Sequence, residues 1–104
     1  MKFKDDFREY LKTRFRSTKS GEPLSSKVAS DVLSRCHLVE QLTGIELRRE
    51  TVNSDKAYER LYELVKAKAG DFGASPARPY AYNQHLYSVR LYRKFLSELA
   101  RETS

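Results

Sequence analysis

All four glycines and all three prolines of this 104-residue chain fall in a few places: Gly21 and Pro23, then Gly44, then Gly70, Gly73, Pro76 and Pro79. Helix interiors reject both residue types. Glycine gives up too much backbone entropy there, and proline lacks the amide donor and clashes with the preceding turn. The stretches between these positions are therefore the candidate elements. They predict four helices, at about residues 3–16, 25–43, 54–69 and 80–101. No alternation of apolar and polar residues lasts long enough to make a strand, and no internal repeat is present.

The apolar spacing agrees. Phe3, Phe7, Tyr10, Leu11 and Phe15 recur at three- and four-residue steps and line one face of the first helix, while Arg8, Lys12 and Arg16 repeat on another. The second helix starts after Ser25 or Ser26, either of which can cap it, and turns Val28, Val32, Cys36 and Val39 inward. Gly44 is its stop, in the left-handed conformation, with Ile45 folding back as a hydrophobic contact. The third begins at Asn53 or Ser54, buries Tyr58, Leu61, Tyr62, Leu64 and Val65, and ends at Gly70. Residues 70–79 read as a loop. Its Asp71-Phe72-Gly73 matches a kinase tripeptide, but no glycine-rich strand, lysine strand or catalytic loop accompanies it, and the match is discarded. The expected fold is all-α: a single domain spanning residues 1–104, a compact bundle without persistent heptads.

Charge and cysteine narrow the function classes. Twenty Lys and Arg oppose fourteen Asp and Glu, a net charge of +6, which favours polyanionic partners. No apolar run approaches the roughly 20 residues that span a bilayer, and the first residues lack the apolar stretch of a signal peptide. Cys36 is the only cysteine, so no internal disulfide can form, and a reducing, cytoplasmic setting is expected.

Charge placement is sharpest in the last helix. Advancing 100° per residue, Tyr82, His85, Val89, Tyr92, Phe95, Leu96 and Leu99 gather on one side. The other side receives Asn83, Tyr87, Arg90, Lys94, Ser97 and Arg101. A narrow stripe of amide, phenol and cations suits a phosphate backbone or base edges: Arg and Lys bind phosphate, and Asn and Arg pair with purine edges. Tyr87 can hydrogen-bond a phosphate or stack. Acidic residues are almost absent from residues 76 to 97, whereas a merely solvated helix mixes both signs. The second helix adds Lys27, Ser30, Ser34, His37 and Gln41 on one face. With Arg93, the candidate contacts are Lys27, Ser30, Ser34, Asn83, Tyr87, Arg90, Arg93 and Lys94.

Catalytic constellations are not found. Cys36 and His37 are adjacent and so point about 100° apart on a helix, which is poor metal-ligand spacing. Cys36 reads as a small core residue and His85 as a buried, hydrogen-bonded one. Serine and cysteine have no evident partner base, and there is no phosphate-binding glycine loop. Glu59 and Glu63 lie beside Arg60 and Lys66 as surface charge. No catalytic residue, metal or cofactor is expected, and no small-molecule substrate.

Several stretches resemble the N-terminal core-binding (SAM-like) domain of tyrosine recombinases, the phage integrases. They are Phe7-Arg8-Glu9-Tyr10-Leu11, Leu24-Ser25-Ser26-Lys27-Val28, Leu42-Thr43-Gly44-Ile45, and the run from Asn83 through Arg90 to Leu96. The similarity covers most of residues 5 to 100. It departs at Val28 and Val32, where the family often has Thr and then Tyr, and in the long linker from Gly70 to Pro79. The resemblance implies a four-helix orthogonal bundle that clamps duplex DNA through its second and last helices. It places the nucleophilic tyrosine and its Arg and His partners in a separate C-terminal domain, to which nothing here corresponds. The chain is then expected to be a recombinase fragment or a free-standing relative that kept the binding module. The alternative is a protein-interaction module, with Tyr80, Tyr82, Tyr87 and Tyr92 anchoring another subunit.

Overall fold

Helix α1 spans Lys4–Thr13 and buries Phe7, Tyr10 and Leu11, as the computed structural model, which describes residues 1–103, shows. It begins under strain: Phe3, at the N-cap, is left-handed at φ 60°, a conformation that costs a residue with a Cβ, and its ring is 43% exposed. The helix stops earlier than expected. The Phe15 amide bonds the Tyr10 carbonyl at 2.9 Å, so Phe15 reaches the core from the turn beyond the helix rather than from its last coil.

Helix α2, Ser26–Thr43, is capped by Ser25, whose hydroxyl accepts the Val28 amide proton at 3.3 Å. Gly44 ends it in the left-handed region at φ 72°, its amide bonded to Glu40. Ala29, Val32, Leu33, Cys36 and Val39 are buried. Val28, expected inward, is 41% exposed, because the buried face of the first turn is set by its neighbour Ala29, about 100° round the helix.

The connection to the next predicted helix holds an extra one, α3, Arg49–Val52. The Thr51 hydroxyl accepts the Arg48 amide at 3.0 Å and lies 2.7 Å from the Glu46 carbonyl, closing the turn, while Leu47 and Val52 are fully buried. Helix α4, Asp55–Ala67, is capped by Ser54, which accepts from the Ala57 amide at 3.1 Å. It buries Leu61 and Val65, whereas Tyr58, Tyr62 and Leu64 are only half-buried, a correction to the expected face. A 3-10 turn, Ala69–Phe72, then closes on Gly73 at φ 90°. Phe72 thereby enters the core 4.9 Å from the His85 ring. The Asp71-Phe72-Gly73 tripeptide is a turn with a hydrophobic anchor.

Helix α5, Asn83–Thr103, starts three residues later than predicted, since Tyr80 to Tyr82 form the turn that leads into it. Its most extensive packing is with α2. Phe7 meets Tyr92 at 5.2 Å and Phe95 at 5.4 Å, and Tyr10 meets Phe95 at 5.5 Å. Such tilted ring pairs add about 0.5–1.5 kcal/mol each beyond burial. The Tyr92 hydroxyl donates to the carbonyls of Lys2 at 2.7 Å and Leu47 at 3.1 Å, tying the N-terminal segment and the α3 approach to the core. Arg14 and Glu102 pair the ends of α1 and α5. The described residues thus form an all-α assembly of five helices rather than four. No helix among them is long and apolar enough to cross a membrane.

Candidate nucleic-acid interface

Helix α5 is sunk into the protein on three sides. Leu86 and Leu91 are buried on its two flanks, and Val89, Tyr92, Phe95 and Leu96 beneath it. The side left in water carries Asn83, Tyr87, Arg90, Lys94, Ser97 and Arg101 as a ridge, and Gln84 and Glu102 are exposed beside it at the two ends of the helix. Heptad-like steps of three and four keep the ridge side chains in one line over five turns, and burial of the opposite side holds the line rigid. Tyr87 is 46% exposed, with the Arg90 guanidinium 5.8 Å from its ring centre. Arg90 also donates to the Tyr58 hydroxyl at 3.5 Å, and the Lys94 ammonium lies 5.5 Å from the Phe15 ring. These contacts orient the cations without cancelling them. Among the described residues no carboxylate pairs with Arg90, Lys94 or Lys27.

Arg93 is placed differently. It donates to Asp55 Oδ1 at 3.2 Å and to the Asn53 carbonyl at 3.5 Å, with its guanidinium 4.8 Å from the Tyr58 ring centre. It is a brace between α5 and the start of α4, with its charge already matched.

The α2 residues are exposed too, but in other company. Ser30, Ser34 and His37 line a groove of about 460 Å³ with Met1, Lys4 and Arg8, floored by Leu33 and Glu40. Arg8 reaches Asp5 at 3.3 Å, and Glu40 receives the Leu47 amide at 2.8 Å. Lys27 stands exposed one turn before Ser30. No α5 residue lines this groove. The two helices pack on each other through their apolar sides, which leaves their polar stripes on separate parts of the surface.

Three further groups escaped the sequence reading. Lys4 and Arg8 border the α2 stripe, a pairing their four-residue spacing hinted at without naming the opposite wall. Tyr58 touches Arg90 and Arg93 of α5, which only tertiary packing decides. Tyr80 is 68% exposed in the turn before α5, edge-on to the buried Tyr82 at 6.4 Å. Of the four tyrosines considered as partner anchors, Tyr82 and Tyr92 belong to the core.

The reactive groups are muted. Burial, with Glu40 adding to it, pushes the Cys36 thiol up to about 12, so it is not a thiolate at neutral pH. Burial, then the charge of Arg35, holds the His85 imidazole below its usual value. Its Nδ1 is buried with no hydrogen-bond partner among the described residues, so the histidine is not the hydrogen-bonded one expected. No group of three or more His, Cys, Asp or Glu among them could hold a metal. No family model matches this chain, and no curated protein or solved structure matches it either.

Proposed function

We propose that the chain is a DNA-binding module that grips duplex DNA with the basic faces of α5 and α2. In this reading it is a SAM-like bundle akin to the core-binding domain of tyrosine recombinases, working in the cytoplasm. The observation that supports it most is the α5 ridge, where Arg90 and Lys94 stand in water one turn apart with no carboxylate partner among the described residues. Arg90 and Lys94 neutralise backbone phosphates, and most of the affinity comes from the counterions they release. Asn83, in the first turn, offers its amide to a base edge or sugar, and Tyr87 donates to phosphate or stacks. Arg93 positions Tyr58 and adds little charge of its own. Lys27, Ser30 and Ser34 take a second stretch of backbone. Strand cleavage is assigned to no residue of this chain.

The test is fluorescence anisotropy of a labelled random duplex of roughly 25 base pairs, with wild type and the Arg90→Ala, Lys94→Ala double variant at several salt concentrations. Each lost phosphate contact lowers the salt slope by about 1, so the double variant should bind weakly with a slope flatter by about 2. Unchanged affinity and slope in the double variant would remove α5 from the interface.

A further inference from the structure

Helices α4 and α5 bring together more exposed and half-exposed aromatic surface than packing requires. Tyr58 and Tyr62 lie one turn apart on α4 and, with Asp55 and Glu59, line an open groove of about 370 Å³. Arg90 joins this groove to the α5 ridge, since it donates to the Tyr58 hydroxyl and lies by the Tyr87 ring. Tyr80 stands exposed in the turn before α5, held edge-on by Tyr82.

Leaving such rings in water forfeits apolar burial that the core would have rewarded. An isolated exposed ring would need no explanation, but Tyr62 and Tyr58 share one groove and Tyr58 is joined to Tyr87 through Arg90, with Tyr80 exposed in the turn that leads into the same helix. Each ring beside an arginine has an electron-rich face already set against a cation, and its remaining surface is flat and rigid. Bases stack on such platforms whatever their identity, while neighbouring cations take the phosphates. Asp55 is neutralised by Arg93 at 3.2 Å, and Glu59, which pairs with no cation among the described residues, can accept from a base N–H, the N3–H of thymine and uracil included.

We propose that this tyrosine surface of α4, α5 and the Tyr80 turn binds unpaired nucleobases on a phosphodiester strand, with Tyr80 and Tyr87 as stacking platforms and Arg90 as the phosphate contact. The proposal rests on the nucleic-acid reading of the α5 ridge and shares Tyr87 and Arg90 with it, but gives them an unpaired strand and adds Tyr80. It needs bases freed from pairing, because no stacked duplex presents its ring faces.

The experiment titrates the full chain against labelled oligo-dT and oligo-rU of roughly 20 nucleotides, an abasic strand of the same length, and the duplex. Stacking is worth about 1–3 kcal/mol per base, so oligo-dT should bind about tenfold or more tighter than the abasic strand. Tyr80→Ala with Tyr87→Ala should erase that advantage, and Tyr80→Phe with Tyr87→Phe should keep it, since the ring rather than the hydroxyl stacks. The dT and rU arms tell DNA from RNA as the source of the strand. Equal binding of abasic and base-bearing strands, or alanine variants that keep the advantage, would overturn the proposal. So would alanine variants that bind oligonucleotide normally but lose self-association in sedimentation, which would make the surface a protein interface. Failure on oligo-dT with salt-steep duplex binding removes this inference alone. Binding of oligo-dT without duplex removes the duplex reading alone.

Discussion

Tyr92 buries its ring among Phe7 and Phe95 and hands its hydroxyl proton to two carbonyls from distant parts of the chain. Leu47's carbonyl also receives the Lys2 amide at 3.0 Å, but Lys2's carbonyl has no second donor shown to it. Tyr92→Phe should therefore cost about 1–2 kcal/mol, the penalty for one buried acceptor left bare, read as a lowered denaturant midpoint. Gly44 offers a different kind of cost. A Cβ there meets nothing within 4 Å, so Gly44→Ala pays only for the left-handed backbone, about 1 kcal/mol by the same assay. His85 sets a pH dependence. Its folded pKa lies below the ordinary 6.5, so as pH falls below that value the unfolded chain takes up a proton the folded chain refuses. Stability is then full at neutral pH and declines from about pH 6.5 downward until the folded pKa is passed. A denaturant series at falling pH checks this, and His85→Gln should flatten the acid side.

At the scale of elements, capping and periodicity made much of the fold legible in the sequence. Ser25 before α2, Ser54 before α4 and Gly44 after α2 sit where local chemistry wants them, and replacing the Ser54 hydroxyl by Ser54→Ala should cost about 1 kcal/mol. What was not legible has physical reasons. Helix α3 is one turn long, too short to show a period, and it exists because Leu47 and Val52 are pulled into a core built by other helices. Tyr58 and Tyr62 obey the apolar spacing of α4 yet end half-exposed, since spacing tells which side a residue is on but not how far a neighbouring helix covers it. The α5 ridge was readable because both its flanks are occupied. Arg90 and Lys94 make only surface contacts, with Tyr58, Tyr87 and Phe15, so the Arg90→Ala, Lys94→Ala variant should keep its thermal stability to within about 1 kcal/mol while losing binding.

Across the whole molecule, the +6 charge is unevenly spent. Arg93, Arg14 and Arg8 are matched by carboxylates, while Lys27, Arg90 and Lys94 are not, among the described residues. The sequence could rank the stripes on α2 and α5 but could not say that they lie on separate parts of the surface, because that depends on how the two helices pack. Duplex DNA held by α5 alone releases counterions from two phosphates, and a duplex that curves far enough to meet Lys27 releases those of a third. The most direct measurement is therefore the dependence of duplex affinity on salt for the wild-type chain. Log affinity should fall linearly with log salt, with a slope of about −2 for α5 alone and near −3 if Lys27 joins. A flat dependence, or no binding at low salt, would contradict a phosphate-gripping surface and leave the α5 ridge as solvated charge.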